Sequence, residues 1–144
     1  MHKSRQDEKL FIIAPLDAPR KAVGTVGLTH IDSRNRRAEW GRFLIGDSSS
    51  HGKGFGSEAI YLSLKYAFLD LRLERVYLEV YNWNEPAKSL YEKIGFKFEG
   101  IYRSHVYSGG RFHDVAVYGL LRSEFLHDEN KILDAINASA NHLI

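Results

Sequence analysis

The chain contains no cysteine. That excludes a disulfide framework and a thiol nucleophile together. It also has almost no charge imbalance: 20 Lys and Arg against 18 Asp and Glu, a net +2. So small an excess argues against nucleic acid as a partner, and Arg34, Arg36 and Arg37 read as a solvated loop. No apolar run approaches the roughly 20 residues of a membrane-spanning helix, so no membrane partner is expected. Residues 1–9 are polar and lack the apolar stretch of a signal peptide. The expected compartment is the cytoplasm. There is no His-Glu-x-x-His, and His30, His105 and His113 are scattered, so no metal is expected. Internal repeats and low-complexity segments are missing too. What is there, 44% hydrophobic and 26% charged in 144 residues, is the make-up of one globular domain large enough for a core.

The pattern along the chain alternates strands and helices. Leu10–Ala14, Ala22–Ile31 and Ala38–Ile45 read as strands, with a turn at Asp17-Ala18-Pro19-Arg20. Ile60, Leu64, Ala67, Phe68 and Leu71 share one face of a helix from about Ser57 to Leu71. Arg75–Tyr81 is a further strand. Asn84 is placed to cap the next helix, with Pro86 in its first turn and Gly95 at its end. Two more strands follow, joined by Ser108-Gly109-Gly110. The tail from Leu126 carries Ile132, Leu133, Ile136 and Ala140 at helical spacing, interrupted by Asn137, Ser139 and Asn141. It reads as a helical appendage, residues 126–144, outside the main domain of residues 1–125.

The most informative segment is Ser50-His51-Gly52-Lys53-Gly54-Phe55-Gly56-Ser57. Three glycines alternate directly ahead of a helix. Glycine lets backbone N–H groups converge and a ligand come close. A helix start adds unpaired donors and a positive dipole end. Together they make an anion cradle, suited to a pyrophosphate. The spacing is wrong for a P-loop, because Lys53 lies between glycines. It is one residue short of the dinucleotide fingerprint. A plain glycine-rich turn before a helix also fits.

A second segment, Asn84-Glu85-Pro86-Ala87-Lys88-Ser89-Leu90-Tyr91-Glu92-Lys93-Ile94-Gly95-Phe96, follows one helix and one strand later. The pair, in this order, resembles the two signatures of the GNAT N-acetyltransferases: polar-x-x-Gly-x-Gly/Ala, and Asn-x-x-Ala-x-x-Leu-Tyr-x-x-x-Gly-Phe. The resemblance runs from about Ile12 to Phe125. Thr29-His30-Ile31-Asp32, Arg36-Arg37-Ala38-Glu39 and Phe112-His113-Asp114-Val115 resemble the branch of ribosomal-protein alanine and spermidine acetyltransferases. The chain departs from the family at its start, where members carry a strand and two helices before the first strand seen here.

The resemblance implies an α/β fold with a mixed, mostly antiparallel central sheet flanked by helices. It implies acetyl transfer from acetyl-CoA to a primary amine: a small amine or polyamine, an amino sugar or a protein N-terminus. The alternative is an acetyl-CoA-binding module with little turnover. His51, Gly52, Lys53, Gly54, Phe55, Gly56 and Ser57 would hold the pyrophosphate. Leu44, Ile45 and Gly46, on a strand that splays from Val76–Tyr81 in the family, would meet the pantetheine arm, with Asn84 beside it. A backbone N–H near Leu44 would polarise the acetyl oxygen. Tyr91 would protonate the leaving thiolate, although its spacing with Ala87 and Ile94 also fits a core tyrosine. Glu39 is the first candidate base, with Trp40 beside the incoming amine. Asp114 would hold the substrate ammonium, and Asp32 is a third carboxylate. Each of the three also reads as a solvated or ion-paired surface residue. Trp40, Trp83, Tyr102 and Tyr107 fit either a pocket lining or sheet packing. The short start is expected to leave an apolar face uncovered, to be closed by a two-fold homodimer in preference to the tail, whose apolar stripe is short and polar-interrupted.

Overall fold

The computed structural model describes residues 7–14, 17, 24–45 and 55–138. Six strands form one sheet in the order β1-β2-β3-β4-β6-β5. They are β1 Lys9–Ile13, β2 Gly24–Asp32, β3 Arg37–Ile45, β4 Arg75–Tyr81, β5 Lys97–Ser108 and β6 Arg111–Leu121. Neighbours are antiparallel except β3 and β4. The β2–β3 connection is a polar turn built by Asp32, whose carboxylate accepts from the N–H groups of Arg34 (3.1 Å) and Asn35 (2.9 Å). The basic cluster around it is exposed, as a solvated loop should be. In the β5–β6 hairpin Gly109 and Gly110 both have positive φ, +62° and +80°. That is the backbone a tight two-residue connection requires.

Strand alternation sorts the residues between two faces. Val26, Leu28, Ala38, Trp40, Val76, Leu78, Ala116, Tyr118 and Leu120 are buried on one. Against them lie helix α1 (Phe55–Lys65), a π-helical turn (Tyr66–Asp70) and α2 (Glu85–Ile94). The Leu71 N–H bonds to the Tyr66 carbonyl at 3.0 Å and so widens the last turn. The one helix expected over Ser57–Leu71 is therefore two segments. Apolar spacing does not distinguish the two windings. Helix α2 is capped as read: Asn84 Oδ1 accepts from the Ala87 N–H at 3.3 Å, and Gly95 ends it at φ +122°.

The tail differs from expectation. Helices α3 (Arg122–His127) and α4 (Glu129–Ala138) dock on the same face. Phe125, Ile132 and Ile136 belong to the main core, the last two 3% and 0% exposed. Tyr61 of α1 donates to Glu129 at 2.5 Å, and α4 touches both α1 and α2. A boundary at residue 126 would cut through this core. Residues 126–138 pack as part of the domain, because Ile132 and Ile136, one turn apart, find a cleft between helices that no local pattern reveals.

The opposite face of the sheet carries Arg75, Tyr77 and Glu79 of β4 and Glu39 of β3. Among the described residues no helix covers it. On β1 the outward Leu10 and Ile12 are 56% and 67% exposed, while Phe11 turns inward and meets Tyr66 edge-on.

Candidate active site

β3 and β4 run side by side for three residue pairs only: Arg37 with Arg75, Ala38 with Val76, and Glu39 with Tyr77. Beyond Glu39 and Tyr77 the strands part, although β3 continues to Ile45 and β4 to Tyr81. Both keep their outer partners, Leu44 with Thr25 and Tyr81 with Val115. A gap thus opens inside the sheet, edged by backbone N–H and C=O groups that no neighbouring strand among the described residues takes up. Such groups bind an extended polar chain as another strand would. Leu44 and Ile45 lie on this edge. Phe55, Gly56 and Ser57 form the first turn of α1, where N–H groups lack helical acceptors. Gly46, His51, Gly52, Lys53 and Gly54 lie outside the described residues.

Two candidate groups approach the gap from opposite faces. Tyr91 sits on the helical face, packed edge-on against Trp40 (centroids 5.9 Å apart) and Phe96 (6.2 Å). Burial pushes its phenol up, so it stays protonated. Glu39 sits on the open face at the last pair before the strands part. Its Oε1 lies 3.3 Å from His30 Nδ1. The phenol of Tyr77, its neighbour across the pair, is pushed up by burial first and by the Glu39 charge second. A base on one side and an acid on the other suit a reaction in which a nucleophile enters from one face and a thiolate leaves toward the other.

Trp40 requires correction. It was expected beside Glu39 at the amine, but alternation turns it to the other face. It is 2% exposed, and its indole Nε1 donates to Ser63 Oγ at 2.8 Å. It can support Tyr91; it cannot line the open face. Asp32 is committed to the β2–β3 turn, and the Asn35 backbone N–H is the largest influence holding its carboxyl below the usual range. Asp114 is exposed and borders a concavity with Ile101, Tyr102, Arg103, Ser104 and His105. Its Oδ1 accepts from the Ser104 N–H at 2.7 Å and so secures a break in β5 register. Asn84 uses Oδ1 as the α2 cap. Tyr77 and Glu79, which share the open face with Glu39, were not read as candidates from the sequence. The signal was present in β4, where Arg75, Tyr77 and Glu79 alternate with Val76, Leu78 and Val80. Among the described residues no group of three His, Asp or Glu gathers as a metal site, and no helix is long and apolar enough to cross a membrane.

A family model described as an acetyltransferase (GNAT) domain matches residues 1–97, about two thirds of the chain. The chain belongs to the GNAT family. It is 36% identical over 121 residues to a spermidine N(1)-acetyltransferase of Vibrio cholerae, covering 83% of this chain and 67% of that one. It is 33% identical over 120 residues to the SPbeta prophage-derived uncharacterized N-acetyltransferase YokL of Bacillus subtilis, covering 83% and 66%. A solved structure of a mutant of the spermidine N-acetyltransferase SpeG from Vibrio cholerae aligns with a TM-score of 0.77 at 32% identity, over 85% of this chain and 70% of that chain. The chain spans about two thirds, or less, of the length of such curated GNAT relatives.

Proposed function

We propose that this chain transfers an acetyl group from acetyl-CoA to a primary amine by direct attack in a ternary complex. The observation that carries this is the parting of β3 and β4 directly after Glu39 and Tyr77, with Tyr91 behind the gap. Acetyl-CoA is a substrate here, with its pantetheine arm along the free edge near Leu44 and Ile45. Its pyrophosphate is held by His51, Gly52, Lys53 and Gly54 together with Phe55, Gly56 and Ser57 of the first turn of α1. Glu39 removes a proton from the acceptor ammonium. The freed nitrogen attacks the thioester carbonyl, so a C–N bond forms and the C–S bond breaks. Tyr91 gives its phenolic proton to the departing sulfur, and the second proton lost by the attacking nitrogen passes through solvent to restore the phenol, so that a neutral amide and a free thiol leave. Positioning supplies much of the rate.

The acceptor enters over the open face, where Glu39 and Glu79 supply negative charge; Asp114, two residues before the buried Ala116 on β6 and so on the same side of that strand, does not belong to that face. That face suits an alkyl amine. Spermidine heads the test panel because relatives that share this sheet carry it in their names. Thiol release from acetyl-CoA, followed with spermidine, short diamines, an amino sugar and an N-terminal peptide, is the direct assay. Turnover with one amine class is the expected result. Binding of acetyl-CoA without thiol release across the panel would point instead to a binding module.

The homodimer keeps one support. Docking of α4 removes the premise that the tail is too weak to pack, whereas Leu10 and Ile12 remain outward. Light scattering at micromolar concentration decides it, and a monomer that turns over would set the dimer aside.

A further inference from the structure

β4 lays a row of side chains along the open face: Arg75, Tyr77, Glu79 and Tyr81. Trp83 continues the row in the turn before α2. Arg75 is committed, because its guanidinium pairs with the Glu99 carboxylate and lies 5.3 Å from the centroid of the Tyr77 ring. Glu79 is not. It is exposed and makes no hydrogen bond among the described residues, where its one ion-pair partner is His105 Nε2 at 3.5 Å. Lys88, the cation beside the turn, is taken up by Asn82 and Glu85. Tyr81 and Trp83 stack with centroids 5.2 Å apart and planes 13° apart, and His113 meets Tyr81 edge-on at 5.2 Å. Trp83 is 60% exposed, yet its backbone is pinned. The Asn82 N–H donates to the Asp114 carbonyl at 3.0 Å and the Asn84 N–H to the Tyr81 carbonyl at 2.9 Å. The core does not need this indole, and a held, electron-rich ring attracts a cation.

We propose that Glu79, with the Tyr81–Trp83 stack beside it, is a subsite for a second ammonium on the acceptor, so that a diamine is preferred to a monoamine of the same length. This rests on acetyl transfer to an amine that enters over the open face. The reacting amine sits where β3 and β4 part, beside Tyr77. Glu79 lies further along β4, roughly 7 Å beyond Tyr77 by the rise of a strand. A diaminobutane chain spans that distance. Its far ammonium meets a carboxylate and ring faces together, a charge-assisted hydrogen bond from one and cation–π attraction from the other. An uncharged alkyl end gains neither. Arg75 stands on the other side of Tyr77 with its charge offset by Glu99, so it repels the dication little. The His105 imidazole is the contact that the ammonium must compete with.

The test is kcat/KM for diaminobutane and for butylamine, by thiol release, in the wild type, Glu79→Gln, Glu79→Lys and Trp83→Ala. The wild type is expected to favour the diamine about 10-fold or more. Glu79→Gln should shrink that ratio about 10-fold, chiefly through KM for the diamine. Glu79→Lys should invert it, because like charges then meet. Trp83→Ala should shrink it about threefold. Both positions are exposed, and melting curves check that each variant folds. Equal use of the two amines by the wild type would overturn the subsite and leave acetyl transfer standing. So would a ratio that survives the Glu79 substitutions or Trp83→Ala, or thiol release with the amino sugar or the peptide alone. No release with any amine would remove acetyl transfer and the subsite together.

Discussion

Tyr91 is held by rings. Trp40 and Phe96 meet it edge-on, and burial alone accounts for the upward push on its phenol. Tyr91→Phe keeps that packing and removes the proton, so kcat should fall about 100-fold with acetyl-CoA affinity little changed. Steady-state kinetics with direct cofactor titration checks it. Tyr118 is the contrasting case, buried in the core and pushed up to about 12, by burial first and then by its hydrogen bond to Glu92 (2.8 Å). Its folded-state value lies above the ordinary 10.0. The stability this represents is fully present below pH 10 and is lost as pH rises toward 12. Tyr118→Phe should accordingly flatten the loss of stability over that window in alkaline unfolding. At this scale the sequence was legible wherever alternation speaks. Ala38, Trp40, Val76 and Leu78 declare the buried face, and Glu39 the other. Placing Trp40 with Glu39 ignored that rule. The contact of His30 with Glu39 depends on a register break that composition does not announce.

Elements were legible where local chemistry sets their ends. Asn84 and Gly95 bound α2, and the paired glycines fix the β5–β6 turn. The π-helical turn after Lys65 was not, because one extra residue per turn leaves the apolar positions nearly on the same face. Nor was the docking of α4, whose polar interruptions weaken it alone and whose stability comes from tertiary contact. Ile136 is fully buried. Ile136→Ala should cost about 2–5 kcal/mol in chemical denaturation. A change near zero would return the tail to the status of an appendage.

For the whole molecule, the mixed, mostly antiparallel sheet flanked by helices is what the two spaced signatures implied; the strand order and the identity of the parallel pair came from the structure. The proposed pyrophosphate site is the part that rests on glycines, and Gly54 lies outside the described residues. Gly54→Val places a side chain where a diphosphate must come close. Acetyl-CoA binding should fall at least about 100-fold by calorimetry, with the melting curve of the unliganded protein unchanged.

The short seam between β3 and β4 has a mechanical consequence. Among the described residues three residue pairs stitch β1-β2-β3 to β4-β6-β5 edge to edge, with the Glu74 and Arg75 N–H groups also donating to the Arg36 carbonyl, so the sheet is two leaves sharing a spine. A pantetheine chain lying between the leaves would act as a removable seventh strand. Acetyl-CoA should then slow amide exchange roughly tenfold or more at residues 41–45 and 78–81, on both leaves at once. Slowing confined to one leaf would mean that the ligand lies on the sheet and not within it.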